Sequence, residues 1–413
     1  MKFLEKWLRL AARGAALSAA LGASWAAHAQ EPIKIGLLYV DSGGMAQLGN
    51  DMRDGFQMYW DEVKGRAGGR PVQIIYEGEN TSKPDESLTK TRKLVERDNV
   101  HIITGITNTP TAYALRPYIV EKKVPTLVLL AGADGLTQDA KSEYIFRSGY
   151  TNSQGSPPLA QWAIKQGYRK AVIMSSDYGG GIENIGGFAR AFEQMGGKVI
   201  QEMYPPFGAD FAAYITKIRR DADVVAVVFF GADATRFVKQ YQEYGLKGKI
   251  PLIAKGGFTD EAILSQQGDA AVGVVTSFHW SAALDTPANN KLKKDFTAKY
   301  HRPASFSVEG GYTGAMVLHR AIEAVKGNVE DKEAFLAALR KTEIDAPRGH
   351  LKFDSYQNAV QNYYILKVEK KGKDYQNTVI DSIPNVSQFW NWKPEEYLKL
   401  PPLAGSKGKW EKP

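Results

Sequence analysis

The 413-residue chain contains 53 Lys and Arg, 45 Asp and Glu and no Cys, which gives a formal net charge of +8. A chain without cysteine forms no disulfide, no thiolate metal site and no lipid anchor on an N-terminal Cys, so its stability must come from burial. The modest basic excess is scattered along the chain, which is typical of a solvated surface and does not favour nucleic-acid binding.

The first 29 residues predict an export signal. Basic residues at the start precede a small apolar run over 14–27, and Ala27-His28-Ala29 is a small-x-small cleavage pattern. The run is about 14 residues long, whereas a bilayer-spanning helix needs roughly 20, so an uncleaved membrane anchor is the less favoured alternative. Cleavage after Ala29 would remove four basic residues and Glu5, which lowers the formal charge to +5.

From residue 33, short apolar strands alternate with amphipathic helices, which is the pattern of repeated βαβ units. The first series starts with a strand over 33–40 and a helix over 49–64. It continues with strands over 72–76, 100–104 and 126–130 and helices over 85–97 and 111–122. The second series consists of helices over 153–166, 182–195, 211–219 and 233–244 and strands over 171–175, 198–203, 224–230 and 251–254.

The apolar strands predict an α/β fold built from two doubly wound parallel-sheet lobes. Strands covered on both faces by crossover helices are near-continuous apolar runs, as 171–174 and 224–230 are. Past residue 278 there are too few strands for a third sheet, so we expect this part to complete the two lobes across a multi-strand hinge. The later predicted elements are helices over 287–300, 311–325 and 331–341 and strands over 350–353 and 363–369.

The predicted domain boundaries follow from this division. Residues 30–149 and 279–349 are assigned to the first lobe, and residues 150–278 and 350–390 to the second. The segment 391–413, rich in Lys, Pro and Gly, is predicted to be a loose surface tail.

Motifs of common catalytic and nucleotide-binding sites are missing from the sequence. It contains no His-Glu-x-x-His, no P-loop and no Gly-x-Ser-x-Gly elbow, and its histidines do not fall at metal-ligand spacing. We therefore expect neither a metal nor a cofactor. The glycines at 179–181 do not fit the dinucleotide spacing G-x-G-x-x-G. They are interpreted as a tight turn that exposes amides at a helix N-terminus, where a carboxylate binds well.

Polar and aromatic residues follow the ends of the predicted strands. Parallel α/β sheets place their ligand crevice at this edge, so residues from both lobes are expected to form the walls of one site. Each residue by itself could be an ordinary turn or a helix cap. The candidate binding residues are Gln47, Asn108, Thr109, Ala131, Gly132, Tyr150, Gln154, Tyr178, Asp233 and Trp280.

Several short motifs occur in a defined order along nearly the whole mature chain. They are Ile33-Lys34-Ile35-Gly36, Ala46-Gln47-Leu48-Gly49, Ile103-Thr104-Gly105, Leu136-Thr137-Gln138, Asn152-Ser153-Gln154-Gly155 and Asp177-Tyr178-Gly179. Their order and spacing resemble those of the periplasmic branched-chain amino-acid-binding proteins of ABC transporters, which have the type I periplasmic-binding-protein fold. The resemblance implies a periplasmic protein that closes two lobes around a small organic acid or amino acid and passes it to a membrane permease. We expect it to act as a monomer.

The resemblance also implies roles for individual residues. Tyr178 would close over the ligand from the second lobe, and Gln154 would line the same cleft. Amides and hydroxyls can hold an anion without a full countercharge, which keeps binding reversible. The first-lobe groups implied to hold a ligand carboxylate are Asn108 or Thr109 and the backbone of Ala131 and Gly132.

Two positions depart from the family pattern. Amino-acid binders of this family carry an aromatic residue near the position of Leu48. After the strand at 251–254 they carry an acidic residue that pairs with the ligand ammonium, whereas this chain has Lys255 and Gly256. An ammonium buried without a carboxylate would lose several kcal/mol, which disfavours an α-amino acid unless Asp233 substitutes.

Lys255 favours a ligand with an acid group, and aromatic residues near the predicted crevice favour a flat or apolar body. Aromatic carboxylates are the first hypothesis for the ligand, and other small organic acids are the second. In the alternative interpretation, Lys255 points to solvent and the aromatic side chains belong to the core. The aromatic residues concerned are Tyr150, Tyr178, Phe258 and Trp280.

Two other functions remain open. A soluble sensory adaptor would have the same fold and would present its closed form to a receptor. An exported α/β enzyme would need an acid–base pair, for which Asp177 with His279 or Glu309 is the candidate, although no spacing in the sequence requires one. A binding protein would return its ligand unchanged, and this separates it from the enzyme.

Overall fold

The computed structural model describes residues 31–80 and 83–410. The predicted export signal, residues 1–29, lies outside the described residues. Within them, no helix combines the length and the apolar character that crossing a membrane requires.

The first sheet is formed by six strands in the part of the chain that the structure describes. They are β1 (Ile33–Ser42), β2 (Arg66–Ala67), β3 (Arg70–Asn80), β4 (Ile102–Gly105), β5 (Thr126–Val128) and β6 (Ile145–Arg147). They lie in the order β2-β3-β1-β4-β5-β6, and all neighbours are parallel except β2 and β3. Residues 35–38 of β1 are all buried because both faces of the sheet are covered.

The second sheet contains nine strands in the described ranges. They are β7 (Lys170–Ser175), β8 (Lys198–Met203), β9 (Val224–Val228), β10 (Leu252–Lys255), β11 (Val275–Phe278), β12 (Glu343–Ala346), β13 (Gly349–Phe353), β14 (Ala359–Lys371) and β15 (Asp374–Val386). Their order is β12-β13-β14-β11-β10-β9-β7-β8, with β15 paired to β14. Strands β7 to β11 are parallel, whereas β12 to β15 join antiparallel, so this sheet is mixed.

Helices connect the strands and cover the sheets. Side-chain caps start several of them: Asn108 Oδ1 accepts from Thr111 N at 2.9 Å before the helix Thr109–Lys122, and Ser305 caps the helix Phe306–Ala324 in the same way. A π-helical segment, Lys93–Arg97, extends α2. The helices are α1 (Ala46–Glu62), α2 (Pro84–Arg92), α3 (Thr109–Lys122), α4 (Ser156–Lys165), α5 (Gly179–Gln194), α6 (Ala212–Ile215), α7 (Gly231–Glu243), α8 (Glu261–Gln267), α9 (Pro287–Tyr300), α10 (Phe306–Ala324), α11 (Lys332–Arg340) and α12 (Pro394–Tyr397).

Helix α1 packs against α10 at a distance that only glycine permits. A Cβ on Gly55 would lie 2.0 Å from the Val308 carbonyl oxygen, and one on Gly311 would lie 2.0 Å from that of Met52. This close approach places Trp60 of α1 in the same hydrophobic core as β1. Helix α10 therefore belongs to the layer of helices on the first sheet.

Two segments lie elsewhere than the sequence pattern predicted. Strands β12 and β13 pair with the second sheet, so residues 343–349 belong with that sheet and not with the first lobe. The segment 391–410 is not loose, because Tyr397, Leu403 and Trp410 are buried, the last two in a core shared with α5. Burial of these apolar side chains offsets the entropy lost when the segment is ordered.

Candidate ligand cleft

The candidate cleft consists of two adjacent chambers, which we call the inner chamber and the outer chamber. The two chambers share part of their walls. The inner chamber has a volume of about 40 Å³ and the outer chamber about 480 Å³. Both are lined by Met45, Leu48, Asn108, Tyr178 and Phe230. The inner chamber is also lined by Thr107, Thr109, Leu130, Gly132, Tyr150, Asn152 and Phe306, and the outer chamber by Gly44, Pro84, Pro110, Phe207, Gly208, Gly231, Ala232, Asp233 and Arg236.

The chambers lie at the carboxyl ends of the strands. Residues that follow β1, β4 and β5 form the wall from the first sheet, and residues that follow β7 and β9 form the wall from the second. Open α/β sheets bind ligands at this edge, because their loops and helix N-termini converge there.

The first-sheet wall presents hydrogen-bond donors to the inner chamber. Asn108 uses its Oδ1 to cap α3, but its buried Nδ2 donates to no group in the described part of the chain. The amide of Gly132 likewise donates to no described residue. Thr109, the first residue of α3, adds a hydroxyl. An unmade hydrogen bond of a buried donor costs about 1–3 kcal/mol, and an anionic oxygen would satisfy these groups.

Asn152 connects the first-sheet wall to the second sheet. Its Nδ2 donates to Thr109 Oγ1 at 3.0 Å and to Glu183 Oε2 at 2.6 Å. Its Oδ1 accepts from Asn184 Nδ2 at 3.1 Å. Glu183 and Asn184 belong to α5, so this single side chain joins both halves of the cleft.

Glu183 is a second link between the two halves. Its carboxylate is buried and accepts from the Tyr113 hydroxyl at 2.8 Å and from the Asp134 amide at 3.3 Å. Burial, and then the neighbouring Asp134 carboxylate, raise the pKa of Glu183 to about 8. Burial raises the pKa of Asp134 as well. Because two buried carboxylates repel each other when both are charged, this link loses stability as the pH rises.

Lys255 lies behind the inner chamber. It is 2 % exposed, and its Nζ donates to the carbonyl of Asn152 and, at 2.7 Å, to Asn184 Oδ1. The same nitrogen lies 5.0 Å from the centre of the Tyr150 ring. Burial lowers the pKa of Lys255 to about 7 against the attraction of Asp134. The amine therefore supports two lining residues, Asn152 and Tyr150, without lining a chamber itself.

The outer chamber has aromatic and apolar walls with an ion pair at its edge. The rings of Tyr178 and Phe207 are 4.9 Å apart, and Phe207 is 56 % exposed. Asp233 accepts from Arg236 Nη1 at 2.9 Å and from the Gly208 amide at 3.0 Å. Since the carboxylate is matched by the guanidinium, the chamber as a whole offers a surface for a flat apolar group.

Two glycines allow the halves of the cleft to approach each other. A Cβ on Gly180 would lie 2.9 Å from Thr109 Oγ1, and one on Gly132 would lie 2.2 Å from Asn152 Oδ1. The tight turn predicted at 179–181 is wrong: none of these glycines has a positive φ, and α5 begins at the first of them. Neighbouring groups leave no room for a side chain at Gly132, Gly180 and Gly181, whereas a Cβ on Gly179 would meet nothing within 4 Å.

The family model of periplasmic binding proteins matches residues 32–373 of the chain. The chain belongs to the periplasmic binding protein family. Such a protein binds a small solute and delivers it to the membrane permease of an ABC transporter, and this chain is a solute-binding component of that kind.

Relatives and solved structures agree with this assignment. Leu/Ile/Val-binding protein homolog 6 from Brucella suis biovar 1 (strain 1330) is 31% identical over 355 residues, which cover 84% of this chain and 90% of the relative. An ABC transporter substrate-binding protein from Sphaerobacter thermophilus is 38% identical with a TM-score of 0.84, over 87% of this chain and 99% of that one. A solute-binding protein of an ABC transporter from R. palustris, solved in complex with benzoate, is 28% identical with a TM-score of 0.80, over 86% and 98%. The chain thus belongs to the family of periplasmic branched-chain amino-acid-binding proteins and has the type I periplasmic-binding-protein fold.

Half of the predicted site residues line the chambers of this binding protein. Five of them line the inner chamber, and two of these five, Asn108 and Tyr178, also line the outer chamber. Asp233 lines only the outer chamber and is part of the ion pair. Their role as ligand contacts stays a prediction. They are Asn108, Thr109, Gly132, Tyr150 and Tyr178 in the inner chamber and Asp233 in the outer chamber.

Gln47 and Ala131 do not line either chamber. Gln47 is an exposed residue of α1 and donates to a carboxylate on the same helix. Ala131 is buried and uses both backbone groups within the fold, because its amide donates to Ile106 O and its carbonyl accepts from Arg147. The amide that is left for a ligand is that of the next residue, Gly132.

Gln154 and Trp280 hold other parts of the fold together. Gln154 Nε2 donates to the carbonyls of Ala359 and Val386, both at 2.8 Å, and so fastens β14 and β15 instead of lining the cleft. Trp280 is a core residue whose Nε1 donates to Asn289 Oδ1 at 2.7 Å. For Trp280 the core interpretation is correct.

Lys255 is the last residue of strand β10 and Gly256 follows it, but neither lines a chamber. A Cβ on Gly256 would lie 1.9 Å from the Phe278 ring, so packing requires glycine there. The expectation that Lys255 lines the crevice is wrong, and so is the alternative that it points to solvent. Phe258 is a core residue of the second sheet.

Several lining residues were absent from the sequence candidates. Phe230 and Phe306 stand at the end of a strand and the start of a helix, where their pattern is that of ordinary core residues. The sequence marks Leu48 only as a departure from the aromatic residue that amino-acid binders of the family carry near this position. Asn152 carried a usable signal, because it lies in a run of polar residues that directly follows Tyr150.

The acid–base pair considered for an enzyme is not assembled in the cleft. Asp177 is exposed and paired with Lys407, and Glu309 is paired with Arg348. His279 is buried, and burial together with Arg348 lowers its pKa well below the ordinary range. None of the three lines a chamber.

Proposed function

We propose that this binding protein carries an aromatic carboxylate, with the acid group in the inner chamber and the ring at the junction with the outer chamber. The observation that carries the proposal concerns the charges of the lining. Residues with unpartnered donors line the inner chamber, and Asp233, the one carboxylate among the described lining residues, is matched by Arg236. An anion is therefore favoured over a cation or a zwitterion.

The inner chamber has the size and the chemistry for an acid group. Its volume of about 40 Å³ is close to the roughly 30 Å³ that one water molecule takes in the liquid. It thus has room for a small polar group and not for a ring. The side-chain amide of Asn108, the hydroxyl of Thr109 and the amide of Gly132 would donate to the two carboxylate oxygens.

The walls shared by the two chambers suit an aromatic ring. Leu48, Tyr178 and Phe230 lie between the polar inner chamber and the larger outer one. Aromatic pairs in offset or edge-to-face contact are worth about 0.5–1.5 kcal/mol beyond the area they bury. The R. palustris protein that was solved with benzoate supports this ligand class.

An α-amino acid lacks a partner for its ammonium in this cleft. The acidic residues that follow β10 are engaged elsewhere: Asp260 accepts from the amides of Ala262 and Phe306, and Glu261 accepts from Asn377 at 3.1 Å. Burying an uncompensated ammonium would cost several kcal/mol. The test must still include leucine as the alternative ligand, because the Brucella relative is named as a Leu/Ile/Val-binding protein homolog.

The test is isothermal titration calorimetry on the mature protein, residues 30–413, with benzoate, 4-hydroxybenzoate, benzamide and leucine. We expect at least one of the two aromatic acids to bind at least about tenfold more tightly than benzamide and leucine, which is about 1.4 kcal/mol. Tighter binding of leucine than of either acid would sink the proposal and leave the amino-acid function.

We further propose that the chain is exported, cleaved after Ala29 and without catalytic activity. The N-terminus of protein from a periplasmic fraction is expected to begin at Gln30. A bound aromatic acid is expected to be recovered unchanged after long incubation, as measured by mass spectrometry. Conversion of the acid would favour the enzyme, and loss of a sensory response with intact uptake in a deletion strain would favour the adaptor.

A further inference from the structure

A series of hydrogen bonds leads from Lys255 to the inner chamber. Lys255 Nζ donates to Asn184 Oδ1 at 2.7 Å, and Asn184 Nδ2 donates to Asn152 Oδ1 at 3.1 Å. Asn152 Nδ2 then donates to Thr109 Oγ1 at 3.0 Å. All four side chains are at most 5 % exposed, so water does not compete for these bonds.

Neighbouring groups outside this series determine which atom donates and which accepts in each of its hydrogen bonds. An amine nitrogen that faces two acceptors donates to both, so Asn184 must turn its carbonyl oxygen toward it. The carbonyl of Gly180, 2.7 Å from Asn184 Nδ2, demands the same orientation. Asn152 must then present its oxygen to Asn184 and its amide to Thr109. Glu183, which accepts the second Asn152 hydrogen at 2.6 Å, fixes that orientation again.

The last bond decides where the Thr109 proton points. The Thr109 oxygen accepts from Asn152, and its hydroxyl hydrogen has no acceptor in the described part of the chain. The hydrogen is therefore free to donate into the inner chamber, which Thr109 lines. Three donors, the Thr109 hydroxyl and the amides of Asn108 and Gly132, can then bind a carboxylate oxygen, whereas the NH₂ of a primary amide would meet a donor.

We propose that Lys255, which does not touch the ligand, is a positioning residue: through Asn184 and Asn152 it turns the Thr109 hydroxyl toward the inner chamber and so sets the preference of the site for an ionised acid over its amide. This rests on the proposed function, because it assumes that the acid group of the ligand lies in the inner chamber. Lys255 also holds the carbonyl of Asn152 and lies against the Tyr150 ring, and both of these residues line the inner chamber.

The experiment compares benzoate and benzamide as ligands of the wild-type protein, Lys255→Met and Lys255→Gln by titration calorimetry. Lys255→Met removes charge and donor with little change in volume, and Lys255→Gln keeps a donor without the charge. We expect the benzoate-to-benzamide affinity ratio to fall about tenfold or more in K255M and less in K255Q. The matched control is Arg190→Met, a buried cation of α5 that contacts Pro401 and Tyr397 and no chamber, with a ratio within twofold of wild type.

Each outcome decides the proposal. Equal losses for benzoate and benzamide would mean that Lys255 only supports the fold, and an unchanged ratio would mean that it has no role in recognition; either result overturns the proposal. If K255M does not fold by circular dichroism, an unchanged ratio in K255Q overturns it. If wild type binds leucine and no aromatic acid, the proposed ligand class fails by itself. The ratio of leucine to leucinamide in the same variants then tests Lys255.

Discussion

The inner and outer chambers share five lining residues, yet their remaining walls differ in kind. The inner chamber is small, and its lining includes buried amides and the Thr109 hydroxyl, which Asn152 orients. The outer chamber is about 480 Å³, partly open and largely aromatic or apolar, and its one ion pair is self-contained. Under the proposed function the two chambers have separate roles: the inner chamber would recognise the acid group by hydrogen-bond direction, and the outer chamber would accept the apolar body by shape and apolar contact.

The largest expected effect is at Asn108, where both chambers meet. Asn108→Asp keeps the cap of α3 but replaces the unpartnered amide with a negative charge that faces the acid group. A like charge at this position costs several kcal/mol, so we expect benzoate to bind at least about 100-fold more weakly by calorimetry. Asn99→Asp, at an exposed turn, serves as the control. A loss of less than threefold in N108D would contradict the assignment of the acid group to the inner chamber.

A smaller effect is expected from the wall that touches the ring. Phe230→Leu removes an aromatic partner from the junction of the chambers and leaves the donors intact. The affinities for benzoate and benzamide should fall together, by about three- to tenfold, because a ring contact is worth about 0.5–1.5 kcal/mol. Tyr244→Leu, an exposed aromatic at the end of α7, is the control. A change in the ratio of the benzoate affinity to the benzamide affinity would contradict the separate roles of the two chambers.

A third prediction concerns stability and not binding. Since the pKa of Glu183 is raised from its ordinary value to about 8, the folded protein holds this proton more tightly than the unfolded chain does, and stability falls as the pH rises between 4.5 and 8. Glu183→Gln should remove this slope, on the order of 2 kcal/mol between pH 5 and pH 7. The Tyr113 hydroxyl can turn to accept from the new amide. Urea unfolding at the two pH values measures the slope, and an equal slope in wild type and variant would show that another group causes it.

The sequence predicted many elements of the fold closely and missed several strands. Its helix over 287–300 and its strand over 198–203 coincide with α9 and β8, because apolar periodicity over a longer segment is a strong signal. Strands β6 and β11, which are three and four residues long, were not predicted. Strand β15 was missed because its exposed, largely polar residues pair only along one edge, with β14.

The position of the candidate cleft was predicted from the sequence, but only half of the predicted residues line it. Asn108, Gly132 and Tyr178 follow strands whose carboxyl ends meet at one edge, so their place near the cleft was predictable. Gln154 follows the same rule and yet turns away, because the carbonyls of Ala359 and Val386 lie more than 200 residues later in the chain and provide its acceptors. A local pattern carries no information about such a partner.

What the sequence by itself determined is the alternation of strands and helices, and with it two sheets whose carboxyl edges form a ligand crevice. These features depend on apolar periodicity, which is a property of neighbouring residues. What only the tertiary structure decided is the direction of individual side chains in that crevice. Lys255 lies beside a strand end, but Asn184, 71 residues earlier, makes it a buried donor behind the chamber and not a wall of it. Side-chain direction depends on which distant groups satisfy a buried charge, and that is settled only when the chain has folded.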